Sequence, residues 1–225
     1  MKKLIALIMA VLFLLAGCGG PADDTTAPKA EGVEDDGGRN SVKDTVPTDL
    51  RFNGETVTFF VRSDNDLVNN EMDVDKTTNN TLSDAVYYRN TTVESRLGVE
   101  ITQVAQACPY TNTDPWNSTL RNAVLTKSGD YDAAAIYGSQ SSALAVEGLY
   151  YNVLDLPYIN LDKPWWNQTI RDELTLFDTL YFLAGDICVS EIAQGLCFFY
   201  NKDMFNEFFG SQGIDIYQVV EDQKW

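Results

Sequence analysis

Residues 55–65 read ETVTFFVRSDN, and the nearly continuous apolar run Val57–Val61 decides the class of the fold. Asn53-Gly54 bounds it on one side and the polar Arg62-Ser63-Asp64-Asn65 on the other. A half-exposed strand alternates apolar and polar residues. An unbroken apolar run of this length reads as a strand covered on both faces, as in a parallel sheet. A parallel sheet in turn demands crossover segments, and the residues downstream supply them.

Thr81-Leu82-Ser83-Asp84 has the form of a capping box, after which Leu82, Ala85, Val86, Val93 and Leu97 share one helical face and Gly98 stops the helix. VEITQV, residues 99–104, is the next strand. Asp114-Pro115 reads as an N-cap with proline in the first turn, and Trp116, Leu120, Ala123 and Val124 form the apolar stripe behind it. Ser128-Gly129 ends that helix, Tyr131–Tyr137 (YDAAAIY) is a third buried strand, and a helix is expected over Ser142–Tyr150. The order β-α-β-α-β-α with short connections predicts an α/β fold, a mostly parallel sheet flanked by helices. Beyond Asp155 the pattern changes. LTLFDTLYFLAGDI, residues 174–187, reads as a hairpin of two apolar strands, and Leu196–Tyr200 as a strand running into a helix.

Upstream of this body, residues 1–17 carry Lys2 and Lys3 followed by the apolar stretch Leu4–Leu15, the layout of a secretory signal. That apolar stretch is short for a bilayer, which needs about 20 residues. Leu15-Ala16-Gly17-Cys18 resembles the lipobox of bacterial lipoproteins, which implies lipidation at Cys18 and an anchor on the outer face of the cell membrane. Residues 18–50 are rich in Gly, Pro, Asp and Thr and read as a flexible acidic linker. With 33 acidic against 16 basic residues the formal charge is −17, or −19 once the two leader lysines are removed. Nucleic acid is excluded as a partner, because its phosphates need a basic footprint. The absence of histidine removes Ser-His-Asp and Cys-His nucleophile systems and leaves zinc only all-Cys or carboxylate sites. Cys108, Cys188 and Cys197 remain beside Cys18, either with a Cys188–Cys197 bridge or as buried free thiols.

Four stretches carry a resemblance to a known family. They are Thr81–Ile101 (TLSDAVYYRNTTVESRLGVEI), Gly129–Gly138 (GDYDAAAIYG), Asp155–Asn167 (DLPYINLDKPWWN) and Phe199–Phe205 (FYNKDMF). Together they resemble the extracellular solute-binding lipoproteins of bacterial ABC importers, in particular the group with carbohydrate-type ligands. The resemblance covers about residues 54–225. It implies a periplasmic-binding-protein-like fold of two α/β lobes closing by a hinge on a small molecule. Residues 51–160 then form the first lobe, and residues 161–225 the crossover and the start of a second, incomplete lobe. It also implies a monomer without cofactor or catalysis, whose partners are a sugar or oligosaccharide and a membrane permease.

In parallel sheets ligands sit beyond the carboxyl ends of the strands. The candidate ligand contacts are therefore Arg62, Asp64 and Asn65 after the first strand and Ser139 and Gln140 after the third. To these the DKPWWNQ segment adds Trp165, Trp166 and Asn167, since aromatic faces pack on the apolar faces of sugar rings. Of the two indoles, Trp165 is expected to brace the lobe and Trp166 to face the cleft. Two other classes compete. An exported carbohydrate-active enzyme would use paired carboxylates, but acidic pairs such as Asp172-Glu173 do not face one another on a helix. A calcium-dependent surface or adhesion module is suggested by Asp64-x-Asp66 and Asp73-x-Asp75. A loop starting at Asp64 has Asn69 where the EF-hand needs glycine. The sequons at Asn79, Asn90, Asn117 and Asn167 carry no weight in a bacterial lipoprotein.

Overall fold

The computed structural model describes residues 41–224. The expected signal, Cys18 and residues 19–40 of the linker lie outside the described residues. The described chain forms two compact units, one running through Ala193 and a second beginning at Gln194.

The first unit is built on a three-stranded, wholly parallel sheet of order β2-β1-β3, with β1 at Glu55–Arg62, β2 at Val99–Gln106 and β3 at Ala133–Ala135. β1 is the central strand, and this is why its run is apolar but for Thr58. Alternate side chains feed two separate cores. Val57, Phe59 and Val61 enter one, with Val93 and Leu97 of helix α2 (Thr81–Leu97; α1 is Asp66–Asn69). Phe60 enters the other, with Cys108, Trp116, Leu120 and Leu144. There Phe60 stacks between Trp116 at 4.3 Å and Tyr131 at 4.4 Å. Trp116 and Leu120 belong to α3 (Asp114–Thr126) and Leu144 to α4 (Gly138–Val146). The helix after β1 thus covers one face and the helix after β3 the other. This is a doubly wound α/β arrangement in which the chain reverses direction between β1 and β3.

Several boundaries move from their expected places for identifiable reasons. Helix α2 is capped by Asn80, whose Oδ1 accepts the N–H groups of Leu82 and Ser83 at 3.0 and 3.2 Å; Thr81 is already helical. Leu82 and Ala85 are exposed and Asn90 takes a buried place on the core stripe. Gly98 closes α2 in the left-handed region (φ 65°), where its N–H reaches the Glu94 carbonyl at 2.7 Å. β3 shrinks from seven expected residues to three. Just before it, the Asp132 carboxylate accepts the Thr58 N–H at 3.0 Å and substitutes for a ladder bond. Helix α4 starts at Gly138, four residues ahead of the expected Ser142.

The body also begins before residue 51. Val46 is buried in the β1–α2 core, and Arg96 donates two hydrogen bonds of 2.9 Å to Asp44. A bidentate Arg–carboxylate pair fixes geometry as well as charge, so residues 41–50 are part of the fold and not of a linker. The expected hairpin over 174–187 is absent. Leu176 and Thr179 form one isolated antiparallel bridge around a tight turn with Phe177 and Asp178 at positive φ. From there the chain folds back to bond α5 (Gln168–Leu174) at its entry: Ala184 accepts the Asn167 N–H at 2.9 Å. Helix α6 (Val189–Ala193) closes the unit, where Glu71 accepts the Ser190 N–H at 2.6 Å and its hydroxyl at 3.1 Å.

In the second unit Leu196–Tyr200 has no strand partner among the described residues and is exposed coil. The expected helix follows as α7 (Lys202–Phe209), capped by Asn201, and then α8 (Ile216–Glu221), capped by Asp215. Tyr200 joins the two helices, 5.5 Å from the Phe205 ring and 6.3 Å from that of Tyr217. Cys188 and Cys197 are free thiols, so the pair is not bridged.

Candidate functional site

The alternation that sends Phe60 toward α3 and α4 sends Arg62, two residues on, to the same face at the end of β1. There it meets the end of β3. The Arg62 guanidinium lies over the Tyr137 ring, 3.7 Å from its centroid, close enough for a cation–π contact. Tyr137 immediately precedes Gly138, the first residue of α4, and supplies no side-chain cap to that helix. The Arg62 side chain is only 8% exposed, and its Nη1 has no hydrogen-bond partner among the described residues.

Asp64 approaches from the same loop. Its Oδ1 accepts the Cys108 N–H at 2.8 Å, and its Oδ2 stands 3.9 Å from Arg62 Nη1. Burial pushes the Cys108 thiol up to about 11, Asp64 adds to the shift, and Arg62 opposes it. Asn65 is committed to helix α1, where its Oδ1 accepts the Val68 N–H at 3.2 Å. In the first turn of α4, Gln140 is held twice from the start of α3. Thr113 donates to its Oε1 at 3.4 Å, and Asn117 Nδ2 to its carbonyl at 2.9 Å. The Asn117 Oδ1 is a second buried polar atom without a partner. The α3 start is itself pinned to β1, because Trp116 Nε1 donates to the Val61 carbonyl at 3.4 Å. Ser139 is exposed in the first turn of α4. Tyr110, 59% exposed, sets its ring edge-on to Tyr137 at 5.2 Å.

Five expected contacts therefore gather at the reversal between β1 and β3: Arg62, Asp64, Asn65, Ser139 and Gln140. The other three do not. Trp165 and Trp166 are 6% and 4% exposed and both belong to the core with Val57, Phe59 and Val61, on the face of β1 opposite Arg62. The expectation that Trp166 faces a cleft is corrected by this burial. A shallow dimple is lined by both indoles together with Asp44, Tyr158, Asn160 and Lys163, and it has no room for a water molecule. A loop accommodates both indoles because it need not alternate as a strand does: Asp186 N–H donates to the Trp165 carbonyl at 3.0 Å, and Trp166 bridges Gly185. Asn167 caps α5, accepting the Ile170 N–H at 3.0 Å, and its amide donates to Glu191.

Sequence reasoning missed Tyr137, Tyr110 and Asn117. Tyr137 had a readable signal, as the last residue of the YDAAAIY run before Gly138. Asn117 sits next to Trp116 on a helix whose stripe was read from apolar residues alone. Among the described residues no three or more His, Cys, Asp or Glu side chains cluster to hold a metal ion. Comparison of the chain with family models, with curated proteins and with solved structures found no match.

Proposed function

We propose that this chain is a solute-binding lipoprotein that captures a sugar or oligosaccharide and delivers it to an ABC-transporter permease. On this reading the first unit is a lobe of a periplasmic-binding-protein-like fold, and Cys18 anchors it to the outer face of the membrane. One observation carries the proposal: polar groups without partners converge where the chain reverses between β1 and β3. An unpaired buried donor and an unpaired buried acceptor, Arg62 Nη1 and Asn117 Oδ1, flank the uncapped start of α4. Leaving such atoms unpaired costs about 1–3 kcal/mol each, a cost that a bound solute with hydroxyl and acidic groups would offset. The crevice at such a reversal is also where doubly wound sheets take their ligands. Tyr110 provides the exposed ring for the apolar face of a sugar. The lipobox-like leader and the four resembling segments supply the transport context.

The test is a saccharide screen on the full chain by titration calorimetry, with mass spectrometry of the recovered ligand. Binding with the saccharide recovered intact supports the receptor. Turnover of the saccharide would replace it with the carbohydrate-active enzyme.

A further inference from the structure

We propose that the β1–β3 crevice is an anion subsite and that its solute is a saccharide bearing a carboxylate, a uronate. The inference rests on the solute-binding reading and narrows its ligand class.

Two independent features converge on negative charge. The first is the start of α4, a nine-residue helix. The N–H groups of Gln140 and Ser141 both turn back to the Tyr137 carbonyl, at 3.1 and 3.2 Å. Those of Gly138 and Ser139 have no backbone partner among the described residues, and Tyr137 caps neither. An uncapped helix start with two N–H groups open is a ready anion site. The second is Arg62, whose side chain is only 8% exposed and whose Nη1 makes no hydrogen bond, the Asp64 carboxylate standing 3.9 Å from it, with the guanidinium laid against the residue that precedes the helix. A planar fork beside two backbone donors matches a carboxylate, which takes paired N–H···O bonds.

The neighbouring charges select among anions. Asp64 does not fill the subsite, because its Oδ1 is held by Cys108 and its Oδ2 stands 3.9 Å from Nη1, beyond hydrogen-bond reach. It does make the Arg62–Asp64 pair neutral in sum, so the attraction left over comes from directed N–H groups and the helix end. Such a site suits one negative charge and disfavours the two of a phosphate monoester. Tyr110, exposed and edge-on to Tyr137, offers a ring to the sugar that carries the carboxylate.

The experiment titrates the full chain with glucuronate- and galacturonate-ended disaccharides, their neutral counterparts and their 6-phosphorylated counterparts. Three variants run beside it. Arg62→Gln removes the fork, Arg62→Lys keeps the charge without it, and Gly138→Pro deletes one helix N–H at a position that tolerates proline. We expect the uronates to bind best, with affinity falling about 10- to 100-fold in Arg62→Gln, the range for a lost charged hydrogen bond. Arg62→Lys should be intermediate, and Gly138→Pro should lose several-fold with Arg62 intact. The ligand-free melting temperature of Arg62→Gln should fall slightly, because the change removes the contact with the Tyr137 ring and the cation that faces Asp64. Neutral sugars binding as well as uronates, or uronate affinity unchanged in both Arg62→Lys and Gly138→Pro, would overturn the anion subsite and leave a sugar receptor standing. Preference for the phosphorylated sugars would overturn the carboxylate assignment. No binding anywhere in the panel would overturn the sugar reading itself. Should Arg62→Gln not fold, the other two variants decide.

Discussion

Trp166→Ala separates a core tryptophan from a displayed one. The indole is 4% exposed and packs in the cluster that holds Val57, Phe59, Val93 and Leu97 together. Trp165, beside it in that cluster, carries Lys163 Nζ 5.9 Å from its ring centroid. Truncating a buried tryptophan to alanine costs about 3–5 kcal/mol, since the surroundings collapse only in part around the space left. For a domain of this size each kcal/mol lowers the melting temperature by about 2–4 °C. The expected drop is therefore roughly 6–20 °C, read by differential scanning calorimetry of the full chain. Saccharide affinity, measured well below the lowered transition, should stay near that of the parent. A drop under about 2 °C joined to loss of binding would refute the reasoning, since nothing measured at that size fits a filled core site.

Three further outcomes are expected. Glu71→Ala should cost about 1–3 kcal/mol in urea unfolding, because it removes the carboxylate that accepts the Ser190 N–H and hydroxyl. Stability should decline as pH rises from 9 to 10. The folded Cys108 thiol keeps its proton up to about 11 while the unfolded one loses it near 9, so the stabilisation is whole below pH 9 and fades as pH climbs through the folded value. Cys108→Ala should flatten that decline by about 1 kcal/mol per pH unit, measured by denaturant titration. Cys18→Ser should release the protein from the membrane fraction into the medium, followed by fractionation and immunoblot.

Particular residues explain what the sequence disclosed. β1 was legible because a central parallel strand is buried on both faces, and Val57–Val61 is then apolar at every position but Thr58. The two crossovers followed from Gly98 as a stop and from Pro115 in a first turn, both dictated by backbone chemistry. Caps were legible only to within a residue, because Asn80 and Thr81 are both good caps and the choice is made by the chain ahead of them. The length of β3 was hidden, since Asp132 intervenes through its side chain and a carboxylate has no strand period. The tryptophan pair misled because adjacency excludes two inward side chains only on a regular strand, and Trp165–Trp166 lies on a loop. Of the rim, the ends of β1 and β3 could be placed from topology. The unpaired atoms of Arg62 and Asn117 could not, because which polar groups lack partners depends on tertiary packing.

On the proposed function a solute is held where the chain reverses between β1 and β3. The most direct test is an amide chemical-shift titration of the isotopically labelled full chain with the saccharide that binds best. The largest shifts are expected at Arg62–Asn65 and Tyr137–Gln140, with Trp165 and Trp166 little moved. Shifts centred on the tryptophan pair, or spread over the second unit with that rim silent, would contradict that placement.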